Sequence, residues 1–129
     1  MTEPHKWLEF ARDDLAMAES AIEKMIFNQA CFHAQQGVEK TLKGYLRSRE
    51  DSVPKTHSLN ELLTLCRQLD EGFAELEQDC ERLDRYYIPT RYPDAFPGFG
   101  PEGAPTRDEA EEAVAALRQI LDWVRRKMG

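Results

Sequence analysis

Cys31-Phe-His-Ala34-Gln-Gln-Gly-Val38-Glu-Lys-Thr-Leu42-Lys-Gly-Tyr45 places its apolar side chains at Cys31, Ala34, Val38, Leu42 and Tyr45. Those steps of three and four put them on one face of an α-helix, and no strand of period two fits the same residues. The helix should run to about Arg49, with Phe27 and Asn28 as a short joint whose asparagine is a competent N-cap. Upstream, Trp7, Ala11, Leu15, Ala18, Ile22 and Met25 carry the same period across residues 4 to 26. Downstream, Ser58-Leu-Asn-Glu61 has the form of a capping box and opens a third helix through Leu62, Cys66 and Leu69, with Gly72 near its end. Phe73, Leu76, Cys80, Leu83 and Tyr87 give a fourth stripe that Pro89 stops, and Thr106-Arg-Asp-Glu109 is a second capping box. It opens a last helix with Ala110, Ala113, Leu117, Ile120 and Val124 on one face. Five amphipathic helices with mostly short joints predict an all-α, up-down antiparallel helical bundle forming one domain over residues 1–129.

The exception is the connection before the last helix, where five of the seven prolines and three of the seven glycines fall between Ile88 and Thr106. A structureless loop of about 18 residues is uncommon in a compact domain and is usually functional or disordered. Tyr86, Tyr87, Tyr92, Phe96 and Phe99 make this stretch too aromatic for a linker, so it is expected to pack against something, a second copy of the chain included.

With 17 basic and 24 acidic residues the net charge is −7, which argues against a surface built to grip duplex DNA. No run approaches the roughly 18 apolar residues of a membrane span, and the start lacks the pattern of a signal peptide, so the expected location is the cytoplasm. Cys31, Cys66 and Cys80 are odd in number and widely spaced, and read as buried small hydrophobes. The acidic pairs Asp13-Asp14 and Glu111-Glu112 read as solvated helix faces.

Residues 28–60 carry 5 basic and 3 acidic groups, the one positive segment. Gln36, Lys40, Lys43 and Arg47 recur at steps of four, three and four, so they share a stripe that suits an anion, with His33 one turn earlier. The competing reading is a solvated face in which Glu39 pairs with Lys43. His57 precedes the capped start of the third helix, whose unpaired amides favour a phosphate, unless the histidine merely packs there. Arg91-Tyr92-Pro93-Asp94 sets a guanidinium beside a ring and a carboxylate, a combination able to read a charged flat ligand or to close the loop on itself. No glycine-rich phosphate loop, H-E-x-x-H or G-x-S-x-G segment is present, and the three histidines lack metal-ligand spacing, so neither a metal nor a cofactor is expected.

Together, Ala34-Gln-Gln-Gly-Val-Glu-Lys-Thr-Leu-Lys43, Lys55-Thr-His-Ser-Leu59 and Tyr86-Tyr-Ile-Pro-Thr-Arg-Tyr-Pro-Asp94 resemble the HEPN family, named for nucleotide binding in higher eukaryotes and prokaryotes. The resemblance extends over nearly the whole chain and points to the subgroup with an Arg-Tyr-Pro-Asp motif. It implies a helical bundle, similar also to the C-terminal domain of kanamycin-type nucleotidyltransferases. It further implies a homodimer, often beside a minimal nucleotidyltransferase in a toxin–antitoxin-like pair. Binding roles carry over to Gln36, Lys40, Lys43, His57, Arg91, Tyr92 and Asp94, for a nucleotide or RNA phosphate. Family RNases carry an arginine, four to six residues, then a histidine. Here no histidine follows His57, and Arg49 and Arg47, the nearest arginines before it, leave seven and nine residues between. That departure favours a non-catalytic binding module over a metal-independent RNase toxin using His57 and Arg91.

Overall fold

Helix α1 (Glu3–Glu23) and helix α2 (Phe27–Arg49) pair antiparallel in the computed structural model, which describes residues 3–49, 52–87 and 104–129. The chain continues through α3 (Leu59–Leu69), a 3₁₀ helix (Glu71–Leu76), α4 (Glu77–Asp84) and α5 (Arg107–Met128). Among the described residues there is no strand, so the all-α helical bundle expected from the periodicity is the architecture found.

Helix α1 stops three residues sooner than its apolar pattern suggests. The Ile26 amide reaches back to the Ala21 carbonyl at 2.8 Å and the Met25 amide to Ile22 at 2.9 Å, while Met25 takes φ 62°. This is the left-handed C-terminal cap that usually holds glycine. Met25 is therefore 66% exposed rather than part of the stripe, and Phe27 is the first residue of α2 rather than a joint. The buried face of α1 runs through Leu8, Ala11, Asp14, Ala18 and Ala21.

Helix α2 is the hub, packed on α1, α3, α4 and α5. Two glycines let its neighbours close in. A Cβ on Gly37 would sit 2.6 Å from Leu117 Cδ2 of α5, and one on Gly44 would sit 3.0 Å from Trp7 Cβ of α1. The fourth apolar stripe divides between the 3₁₀ helix and α4, and buries Phe73, Leu76, Cys80 and Leu83. It ends with Tyr86 in the core instead of Tyr87, and α4 closes at Asp84, ahead of Pro89. At the far end Phe73 lies between Tyr45 and Trp123, tilted to the first ring at 4.5 Å and edge to face with the second at 4.9 Å between centroids. Both halves of the Thr106–Glu109 capping box are made. The three cysteines are buried as free thiols, and burial pushes each up to about 12, so none is a thiolate nucleophile at neutral pH.

Candidate functional site

The polar flank of α2 meets α1 on one side and the start of α3 on the other, and carboxylates wait on both. Asp14 is the first. It was expected on a solvated face, yet it is buried at 6% exposure, because it stands between Ala11 and Ala18 on the packed side of α1. Lys40 Nζ donates to its Oδ2 at 2.7 Å and the His33 ring binds its Oδ1 through Nδ1 at 2.9 Å. Glu39 is the second. Lys43 Nζ donates to its Oε2 at 3.1 Å, and His57 Nδ1 approaches the same carboxylate at 3.2 Å. Such pairing is what lets two carboxylates and a lysine lie in the interior.

Gln36 and Gln35 join the second cluster to the chain before α3. Gln36 Nε2 donates to Gln35 Oε1 at 2.7 Å, and Gln35 Nε2 donates to the His57 carbonyl at 3.3 Å. The stripe read as a row of cations is thus a row of neutralised pairs, since Arg47 also reaches Glu3 of α1 at 2.8 Å. Lys40 keeps the greater access, with 31% of its side chain exposed against 8% for Lys43.

The start of α3 also departs from expectation. Ser58 caps it by accepting from the Glu61 amide at 3.2 Å, but the Leu59 and Asn60 amides do not await a ligand. They donate to Asp84 Oδ1 and Oδ2 at 2.8 and 3.1 Å. A carboxylate from the end of α4 occupies the positive helix end where a phosphate was expected.

Between these two elements runs an open groove of about 520 Å³, lined by His57, Ser58, Asn60, Glu81, Asp84, Arg85 and Tyr87. The His57 and Tyr87 rings stand edge to face, 4.9 Å apart. Glu39 holds His57 by Nδ1 from inside, and 54% of the histidine side chain is exposed, so Nε2 is the nitrogen left for a ligand. Of the residues singled out from sequence, Lys43 and His57 meet on Glu39, Gln36 adjoins them, and Lys40 turns to Asp14. Arg91, Tyr92 and Asp94, with the aromatic Phe96 and Phe99, lie outside the described residues. Sequence reasoning missed Asp14, Gln35, Glu39 as an inner anchor, and Asp84. For Asp14 a signal existed, its position three residues after Ala11 and four before Ala18; for Asp84 there was none.

Among the described residues no group of three or more histidine, cysteine or acidic side chains could hold a metal, and no helix is long and apolar enough to cross a membrane. The HEPN domain model matches residues 4–127, and the chain belongs to the HEPN domain family. Among solved structures it is similar to TT1696 from Thermus thermophilus, at 41% identity and a TM-score of 0.83 over 98% of this chain and 99% of that one. It is also similar to ST0689, described as an archaeal HEPN homologue, at 30% identity and a TM-score of 0.78 over 100% of both chains. A comparison with curated proteins finds no match.

Proposed function

We propose that this protein is a non-catalytic binding module that takes a nucleotide or a single RNA strand in the groove between the start of α3 and the end of α4. The observation that carries the reading is the pair of rings, His57 and Tyr87, that line a groove of about 520 Å³. That volume lies within the roughly 300–1,000 Å³ of ordinary ligand pockets. Aromatic side chains are the usual platform for unstacked bases. In this reading Glu39 and Gln35 set the orientation of His57, and Lys43 acts from behind Glu39. Lys40 and Gln36 offer a phosphate contact further along α2. Arg91, Tyr92 and Asp94, which follow Tyr87 closely in sequence, supply the charged and aromatic remainder of the site. The module acts as a cytoplasmic homodimer beside a minimal nucleotidyltransferase, in a toxin–antitoxin-like pair.

Calorimetric titration with ATP, GTP and short RNAs tests the binding. Tyr87→Ala should weaken it at least roughly fivefold, the low end of one base–aromatic stack. Unchanged affinity would remove the groove from the proposal. Light scattering tests the dimer, and a monomeric mass at tens of micromolar protein would count against it.

A second reading, a metal-independent RNase, is favoured by one feature, the buried carboxylate that orients a half-exposed imidazole as in a general acid–base pair. Against it stand Glu81 and Asp84, whose charges in the same groove oppose a developing phosphorane. The expected result is no cleavage of structured or unstructured RNA. Cleavage abolished by His57→Ala would reverse the assignment.

A further inference from the structure

We infer that the groove reads a guanine base, through Glu81 and Asn60, and that it rejects a bare phosphate; the inference rests on the binding reading above and names the ligand class it selects. Three observations lead there.

The first concerns anions. The N-terminal amides of α3 that would hold a phosphate are spent on Asp84 and on Ser58. The groove itself sets two carboxylates, Glu81 and Asp84, against one guanidinium, Arg85. A dianionic phosphate entering there meets a wall of its own sign with the helix end already filled.

The second concerns Glu81. It stands on α4 three residues before Asp84 and four before Arg85, the C-cap, which puts it on their face of the helix and on the groove wall. Unlike Asp84, it makes no hydrogen bond or ion pair among the described residues. An ionised carboxylate can only accept, so its two oxygens call for two donors set side by side. Guanine presents such a pair on its Watson–Crick edge, N1–H and the 2-amino group. Adenine and cytosine present one amino group beside an acceptor, and uracil a single N–H between two carbonyls. Asn60 lines the same groove with an exposed side-chain amide, able to donate to the guanine O6.

The third is the ring pair, whose faces take a base of any identity. Stacking on His57 or Tyr87 gives the hold, and Glu81 with Asn60 gives the choice. The preferred ligand is therefore a guanine nucleotide, or an unpaired guanine in RNA, held by its base with the phosphate directed away from Asp84.

The test is calorimetric titration of the intact protein with guanosine, adenosine, cytidine and uridine, and separately with inorganic phosphate. Guanosine should bind roughly tenfold more tightly than the other nucleosides, the effect of one or two hydrogen bonds to a charged group. Phosphate should give no heat of binding. Glu81→Gln, at an exposed side chain that leaves the fold intact by circular dichroism, should lower guanosine affinity roughly tenfold and leave adenosine unchanged. Equal affinity for all four nucleosides, a preference that survives Glu81→Gln, or phosphate binding with no nucleoside binding would overturn the guanine assignment while leaving a nucleotide- or RNA-binding module. If neither nucleosides nor short RNAs bind at all, the binding reading fails with it.

Discussion

The two flanks of α2 are built from opposite chemistry. One flank is the buried run Ala34, Gly37, Val38 and Thr41, with Gly37 against Leu117 of α5, and the Thr41 hydroxyl is satisfied within the helix by the Gly37 carbonyl at 2.7 Å. Leu117 closes on that side against bare backbone. On the opposite side Gln35, Glu39 and Lys43 are buried too, at 0%, 5% and 6% exposure, and each needs a specific partner. An apolar flank accepts any neighbour of suitable shape, because dispersion and water exclusion are not directional. A buried polar flank accepts only the residue whose atoms match, so a single deletion there strands a charge.

That difference sets the largest expected effect. Glu39→Leu removes the partner of Lys43 and of His57, and breaking a buried ion pair from one side costs about 3–5 kcal/mol. Glu39→Leu with Lys43→Met removes both charges and should recover most of the loss in urea unfolding. A double variant no more stable than the single one would show that the pair holds no stranded charge, and that the flank is less buried in solution than the geometry implies.

On the apolar flank, Leu117→Ala should cost about 2–5 kcal/mol through lost burial and a cavity. The sharper measurement is Gly37→Ala in both backgrounds. In the native chain its methyl collides with Leu117, whereas beside Ala at that position it enters the space vacated and gains helix propensity of up to about 1 kcal/mol. The same substitution should therefore be unfavourable alone and favourable in the pair. Additive costs would mean that Leu117 rotates aside freely.

Legibility in the sequence divides along the same line. The five helices and their apolar faces follow from local periodicity, and the capping box at Thr106 from four consecutive residues. The C-terminus of α1 was misjudged because Met25 takes a left-handed conformation in a place where glycine would have announced it. Of the site, Gln36, Lys40, Lys43 and His57 were visible as residue types on a stripe. The Glu39–Lys43 pair was visible too, at i, i+4, but the distant partners were not, because Lys40 finds Asp14 across 26 residues and Gln35 finds His57 across 22. Helical spacing carries no information about pairs so far apart. The charge of the stripe was therefore misread, since the carboxylates that neutralise it come from α1 and from within α2's own buried side.

A smaller effect tests the end of α3. Asp84→Ala frees the Leu59 and Asn60 amides, at a cost of about 0.5–2 kcal/mol by analogy with lost N-caps. The vacated helix end should then accept an anion, so added phosphate should raise the melting temperature of the variant and leave that of the native chain unchanged. A phosphate shift of equal size in both would mean that Asp84 does not block the position.

The smallest effect lies at the opposite end of the bundle, where a charge holds α5 from outside. Lys127 Nζ lies 3.0 Å from Asp70 Oδ2, and the Gly72 amide donates to Oδ1 at 2.9 Å. Lys127 first, and then the Gly72 amide, hold the Asp70 carboxyl below the usual carboxylate range. A carboxyl whose folded value is depressed binds its proton more readily when unfolded. Its contribution is complete above the unfolded value of about 3.9 and drains away as pH falls through the lower folded one. Asp70→Asn keeps an acceptor for Gly72 but loses the charge. It should lower stability slightly at pH 7, with the gap to the native chain narrowing below about pH 4 and shrinking with added salt. Urea midpoints at the two pH values and two salt concentrations decide it. A gap that stays constant with pH would assign the role of Asp70 to capping the 3₁₀ helix alone, and would leave α5 held on that side by the contact of Trp123 with Phe73.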